Sequence, residues 1–267
     1  MKPVTLAAKA SSANHSLRPG RVTLVGAGPG DPDYLTVKAM RVLQTAEVVL
    51  FDDLVSPAVL ELAPLEAERI PVGKRGGRVS CRQDDINALM IVLAKGGRHV
   101  VRLKSGDPMI FGRAGEEIAA LEREGIAVEV VPGITAGLAL AAELRTSLTH
   151  RDCAQSVRFV TGHARDGKLP RNLDWHALAD PATTHIYYMA GRTAGELARR
   201  LLFHGLDAST PVVVASDVGR VTRQVTHIRL DQLAELEIEL ECPVIIGIGE
   251  AMRAAQGAEG TSLLRAG

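Results

Sequence analysis

Four apolar runs in the first half of the chain end on glycine or aspartate: RVTLVGAG (21–28), EVVLFDD (47–53), HVVRLKSGD (99–107) and VEVVPG (128–133). Runs rich in Val, Leu and Ile suit strands of a buried parallel sheet. Between them lie helical segments. DPDYLTVKAMRVLQTA predicts a helix with Asp31 or Asp33 as N-cap, SPAVLELA a short helix with Pro57 early, and DDINALMIVLAKGG an amphipathic helix closed by glycine. Strand and helix alternating at this spacing make βαβ units, so the fold class is α/β with a mostly parallel sheet. In the second half SVRFVTGH, HIYYMAG, PVVVAS, QVTHIRL and PVIIGIG read as strands, and TAGLALAAELR, TAGELARRLLFHG and LDQLAELEIEL as helices. Several of these strands are close enough to pair directly, which predicts a mixed sheet.

Composition narrows the function classes. The 31 Lys and Arg balance the 31 Asp and Glu, so overall charge points to neither nucleic acid nor an anionic membrane. Cys81, Cys153 and Cys242 show no CxxC or Cys/His spacing, the pattern of a reducing cytoplasm without structural zinc, and no histidine has metal-ligand spacing. No segment is long and apolar enough to span a bilayer. The first twenty residues lack a secretory apolar run and read as a tail, with some transit-peptide character in their Ala, Ser and Lys.

The strand-end loops carry the chemistry. GAGPGDP (26–32) invites a dinucleotide reading, with Asp52 or Asp53 after the next strand. Against it, Asp31 holds the third glycine position and Pro29 and Pro32 remove two N–H groups from a phosphate cradle. A tight structural turn and a ligand contact without phosphate both remain open. SGDP (105–108) ends another strand on the same sheet edge, where ligands of open α/β sheets lie. Gly106 lets backbone approach a ligand, and Asp107 can accept from hydroxyl or ammonium groups. Such loops suit a neutral or cationic ligand. Arg113 precedes a helix start with Glu116 and Glu117, as a site residue or a helix-start salt bridge. His150 and Arg151 suit a carboxylate or cap a turn. Lys74 and Arg75 lie in a glycine-rich turn that is an anion site or simply solvated.

In their order, VGAGPGDPDYLTVKA, VGKRGG, RLKSGDPMIFGRAGEE, VPGITAG, LTHRD, FVTGH and YMAG resemble the tetrapyrrole (precorrin-type) methyltransferases over about residues 21–250, nearest the branch that methylates uroporphyrinogen III. The resemblance implies two α/β domains, 21–133 and 134–252, with an interdomain cleft, flanked by tails 1–20 and 253–267. It implies S-adenosylmethionine as methyl donor, S-adenosylhomocysteine as product, a tetrapyrrole acceptor, no metal, and a cytoplasmic homodimer. Pro29, Ser105, Gly106, Asp107, Ile110, Thr135, Ala136, Met189 and Val218 occupy donor-binding positions. Arg113, Glu116 and Asp52 occupy catalytic positions. Arg151, with Lys74 and Arg75, is implied for the acceptor, which carries eight carboxylates and needs cations converging on one cleft.

Several positions depart from the family pattern. Ser105, Met109 and Ala114 replace a glycine, an aromatic residue and a glycine. Asp53 stands where an arginine or small residue is common. Glu143-Leu144-Arg145-Thr146-Ser147 replaces Tyr-Ala-Gly-Ile-Pro, and Asp217-Val218 replaces Asn/Gln-Gly. These changes admit two alternatives: a related precorrin methyltransferase acting at another ring carbon, and a donor-binding homologue without activity.

Overall fold

The structure, a computed structural model, describes residues 20–73, 82–164, 166–236, 238 and 242–257. Strands β1 (Arg21–Gly26), β2 (Val48–Phe51), β3 (Glu68–Pro71), β4 (His99–Lys104) and β5 (Ala127–Val131) form one five-stranded sheet in the order β3-β2-β4-β1-β5. Every pairing in it is parallel. Strands β6 (Ser156–Thr161), β7 (Thr183–Tyr188), β8 (Pro211–Ser216), β9 (Gln224–Arg229) and β10 (Val244–Ile248) form a second, in the order β6-β7-β10-β8-β9. There only β6 and β7 pair in parallel, so the sheet is mixed, as the close strand spacing predicts.

The helices are α1 (Val37–Leu43), α2 (Pro57–Leu60), α3 (Gln83–Lys95), α4 (Ala114–Arg123), α5 (Ala136–Glu143), α6 (Trp175–Leu178), α7 (Ala194–Phe203) and α8 (Leu230–Leu233). Strand side chains alternate between faces, and the helices sort accordingly. Val25, Val101 and Leu103 pack under Ala39 and Leu43 of α1, while Val22, Leu24 and Val100 pack under Met90 of α3 and Leu121 of α4. Each fully buried Leu of this kind stabilises the fold by about 1.5–3 kcal/mol. In the second half, Leu140 of α5 packs with Ile186 and Ile245, and Leu197, Leu201 and Leu230 pack with Tyr187 and Ile246 on the opposite face.

This strand order places the site. The connection after β1 passes β4 to reach β2, and the connection after β4 passes β1 to reach β5. Two neighbouring strands whose connections leave in opposite directions open a crevice at their carboxyl ends, the topological switch point of an open sheet. The loops that meet there are GAGPGDP and SGDP, the two singled out by their chemistry.

Three helix expectations are corrected. Asp31 accepts from Asp33 N–H and caps a 3₁₀ turn, Pro32–Tyr34, whereas α1 starts at Val37 with Thr36 as its cap. Pro32 supplies its fixed φ to that separate turn. Among the described residues of LDQLAELEIEL, only α8 is helical. Arg253–Gly257, read as tail, belongs to a 3₁₀ helix, Glu250–Gly257, in which Ala255 is buried. No helix among the described residues is long and apolar enough to cross a membrane.

Candidate active site

The two loops at the switch point are stitched by their backbones. Gly28 N–H donates to Gly106 O at 3.2 Å, and Gly106 N–H donates to Gly28 O at 2.7 Å. Both glycines have left-handed φ, +68° and +67°. The N–H groups that a diphosphate would need are therefore spent on each other, which removes the dinucleotide reading of GAGPGDP. A third loop closes in: a Cβ on Gly133 would lie 2.2 Å from Gly106 O, so only glycine fits there. At Gly106 the limit is the backbone angle, since a Cβ would meet only Thr135 Cα at 3.8 Å. Asp107 pins the assembly. Its Oδ1 accepts from Met109 N–H at 2.8 Å and its Oδ2 from Gly133 N–H at 2.9 Å. The carboxylate assigned from sequence to a ligand hydroxyl or ammonium group serves the loop first.

Above these loops lies a cavity of about 470 Å³, within the range of small-molecule sites. All nine positions singled out for a donor line it: Pro29, Ser105, Gly106, Asp107, Ile110, Thr135, Ala136, Met189 and Val218. They come from both halves of the chain, so the cavity sits between the two sheets. Sequence reasoning missed Tyr188, which also lines it. The Tyr188 hydroxyl accepts from Gly137 N–H at 3.0 Å and is hydrogen-bonded to Thr135 Oγ1 at 2.7 Å, tying the end of β7 to the start of α5. Burial raises its pKa above the usual tyrosine value. The available signal was a polar-tipped aromatic at a strand end in a chain only 3% aromatic. Phe111 packs on its ring at 5.1 Å between centroids. Phe111 and Met189 hold left-handed φ of 53° and 58° while keeping substantial exposure at the cavity, local strain of the sort that gathers at functional sites.

Val218 and Arg220 of the wall belong to the loop from Asp217 to Arg223, which is held by Glu143 at the end of α5. Glu143 Oε1 accepts from Gly219 N–H at 2.9 Å and Tyr34 O–H at 3.3 Å, and its Oε2 lies 3.4 Å from Arg223 Nε. Arg220 Nη2 reaches back to Leu54 O at 2.6 Å. The departure at Glu143 thus holds the loop that carries the departure at Asp217-Val218, through the neighbouring Gly219. Arg145, where the family has glycine, keeps the glycine-like φ of 52°.

Of the residues singled out for catalysis or the acceptor, Arg113, Glu116, Asp52 and Arg151 lie outside this lining. Arg113 donates from Nε and Nη2 to the two oxygens of Glu116, at 2.8 and 2.7 Å, the helix-start salt bridge. Those bonds hold its guanidinium above the ordinary arginine range, which suits a fixed cation and not a base. Asp52, at the carboxyl end of β2, is bonded to the buried Arg102. Arg151 lines a separate open pocket of about 260 Å³ with Thr149 and His150. Lys74 and Arg75 lie outside the described residues. Among the described residues, no group of three or more His, Cys, Asp or Glu could hold a metal ion.

Two facing α/β layers, backbone-stitched glycine loops and a phosphate-free cavity between them define a class. The chain belongs to the tetrapyrrole (corrin/porphyrin) methylases, whose family model matches residues 21–234. It is similar to the siroheme synthase of Pseudomonas fluorescens (strain Pf0-1), 48% identical over 236 residues, covering 88% of this chain and 50% of that protein. It is also similar to the siroheme synthase of Chromobacterium violaceum, 53% identical over 203 residues, 76% of this chain and 43% of that one. The chain thus spans about half the length of the curated relatives it matches. Among solved structures, uroporphyrin-III C-methyl transferase from Thermus thermophilus complexed with S-adenyl homocysteine superposes with a TM-score of 0.77 at 40% identity, over 88% of this chain and 99% of that one. A cobalt precorrin-4 methyltransferase gives the same TM-score at 28% identity, over 87% and 95% of the two chains.

Proposed function

We propose that this chain transfers methyl groups from S-adenosylmethionine to two ring carbons of uroporphyrinogen III, giving precorrin-2. The observation that carries the reading is the cavity, walled by all nine donor positions and offering no phosphate cradle. Its similarity to the Thermus thermophilus enzyme that was solved with S-adenyl homocysteine supports it. Bound there, S-adenosylmethionine supplies a methyl group on a sulfonium, open to in-line displacement by an electron-rich pyrrole carbon.

The chain's own work is alignment and charge. Pro29, Ile110 and Val218 wall the donor with apolar surface. The Tyr188–Thr135 bond keeps the start of α5 against the end of β7, so Thr135, Ala136 and Met189 hold their spacing in the cavity wall, which positional catalysis requires. Asp107 brings negative charge that favours a sulfonium over a phosphate. Arg113, oriented by Glu116, presents a fixed positive charge to the reacting ring, and Asp52 orients the acceptor. Arg151, Lys74 and Arg75 bind the acceptor's carboxylates. We infer the active form to be a cytoplasmic homodimer, which light scattering tests for assembly.

The deciding experiment is anaerobic incubation of uroporphyrinogen III with methyl-labelled S-adenosylmethionine and a mass count of the methyl groups gained. Two is the expected result. None, with the donor bound, refutes the reading in favour of an inactive homologue.

A further inference from the structure

Beneath the loop that carries Phe111 to Arg113 lies a cluster of charges. Arg102 and Lys104 stand two residues apart on β4, on the face covered by α3 and α4. They are 2% and 3% exposed. Facing them from the first turn of α4, Glu117 is fully buried. Its Oε1 accepts from Arg102 Nε, Lys104 Nζ and Gln83 Nε2, each at 3.1 Å. Its Oε2 has no hydrogen-bond partner among the described residues. Arg102 Nη2 also donates to Asp52 Oδ1, and Lys104 Nζ lies 3.9 Å from Asp52 Oδ2. The stem of Lys104 runs under the turn above, where a Cβ on Gly112 would lie 3.1 Å from Lys104 Cε.

Stability alone is a poor account of this cluster. Taking ions out of water costs several kcal/mol apiece, and apolar residues of similar volume often serve a fold as well or better. Two cations and two carboxylates balance, and only Asp52, with 31% of its side chain exposed, reaches solvent appreciably. Asp52 sits at the carboxyl end of β2, two residues before Leu54, which lines the cavity. Lys104 itself is absent from that lining. Its contacts reach Asp52, Glu117 in the first turn of α4, and the Gly112 turn.

We propose that Lys104 is a positioning residue for the methyl acceptor: its ammonium draws Asp52 into place, and its stem supports the Gly112–Arg113 turn. One buried side chain then sets two acceptor-side groups that arise from different strands, without contributing to donor binding. The inference rests on the reading of the chain as a uroporphyrinogen III methyltransferase.

The test compares the parent protein with Lys104→Gln, which keeps hydrogen-bonding capacity and loses the charge, and with Lys104→Met/Glu117→Gln, which removes a cation and an anion together. Parent protein that transfers no methyl group to uroporphyrinogen III refutes the proposed function and says nothing against the cluster's geometry. With an active parent, the expected result is a split. The dissociation constant for S-adenosylhomocysteine by calorimetry, and the KM for the donor, stay within about threefold, while kcat falls by about thirtyfold or more. Either variant, once shown folded by circular dichroism, decides the matter. A kcat within about threefold of the parent overturns the proposal. So does a parallel loss of donor affinity and turnover, which marks a merely structural residue. Failure of both variants to fold overturns it too, since the cluster is then a folding element.

Discussion

Glu143→Ala should loosen the donor wall and the fold together. The Glu143 carboxylate accepts from Gly219 N–H at 2.9 Å and from Tyr34 O–H at 3.3 Å, with Arg223 Nε 3.4 Å away and only 15% of its own side chain exposed. A hydrogen bond to a charged group is worth about 1.5–3 kcal/mol, and the second bond here is long, so the loss should total about 3 kcal/mol. In a protein of this size that lowers the melting temperature by roughly 6–10 °C. Tyr34 keeps its proton well above neutral pH, because burial first and Glu143 next raise its pKa, so the loss should be the same at pH 7 and pH 8. Gly219 neighbours Val218, and freeing that loop should raise the dissociation constant for S-adenosylhomocysteine about tenfold, equivalent to about 1.4 kcal/mol. Glu143→Gln retains an acceptor oxygen and should lose about half as much stability. Differential scanning calorimetry and titration calorimetry read both effects. Glu143→Ala melting within about 2 °C of the parent with unchanged ligand affinity would refute the reasoning.

Tyr188→Phe removes the group that Thr135 and Gly137 share, and should cost about 1–3 kcal/mol in urea denaturation while weakening the donor; unchanged stability would mean that water replaces the hydroxyl without loss. Arg151→Ala should raise the acceptor's dissociation constant about tenfold to a hundredfold and leave the donor's unchanged, whereas equal weakening of both would assign Arg151 to the fold. His185 is buried, and burial lowers its pKa from 6.5 to about 4. The unfolded chain therefore binds its proton first as pH falls, and stability is lost from about pH 6.5 down to about pH 4, by about 3 kcal/mol for this group. Urea denaturation at pH 7 and pH 4.5 should show a smaller loss in His185→Leu than in the parent; equal losses would place the acid sensitivity elsewhere. Arg145→Gly should stabilise by about 0.5–1 kcal/mol, since φ at that exposed position is 52°; a melting temperature at or below the parent's would show that the Arg145 side chain offsets the strain.

What the sequence by itself determined was local. Apolar runs set β1 and β4 as buried strands, and the glycines closing them marked the loops at the sheet's carboxyl edge, while the nine donor positions were named from the resemblance of the motifs to a known family. The proline and aspartate in those loops argued against phosphate because each acts on its own backbone or by its own charge. Tertiary structure alone decided which distant groups meet. Gly219 finds Glu143 across 76 positions, Arg102 finds Asp52 across 50, and Tyr188 finds Thr135 across 53. Those partners depend on the order β3-β2-β4-β1-β5 and on the mixed pairing of the second sheet. A strand's pattern of burial says that it has neighbours and not which ones. The assignment of Asp107 to the loop, of Tyr188 to the cavity and of Lys104 to a buried hub follows from side chains converging in space, and periodicity along the chain carries no record of that convergence.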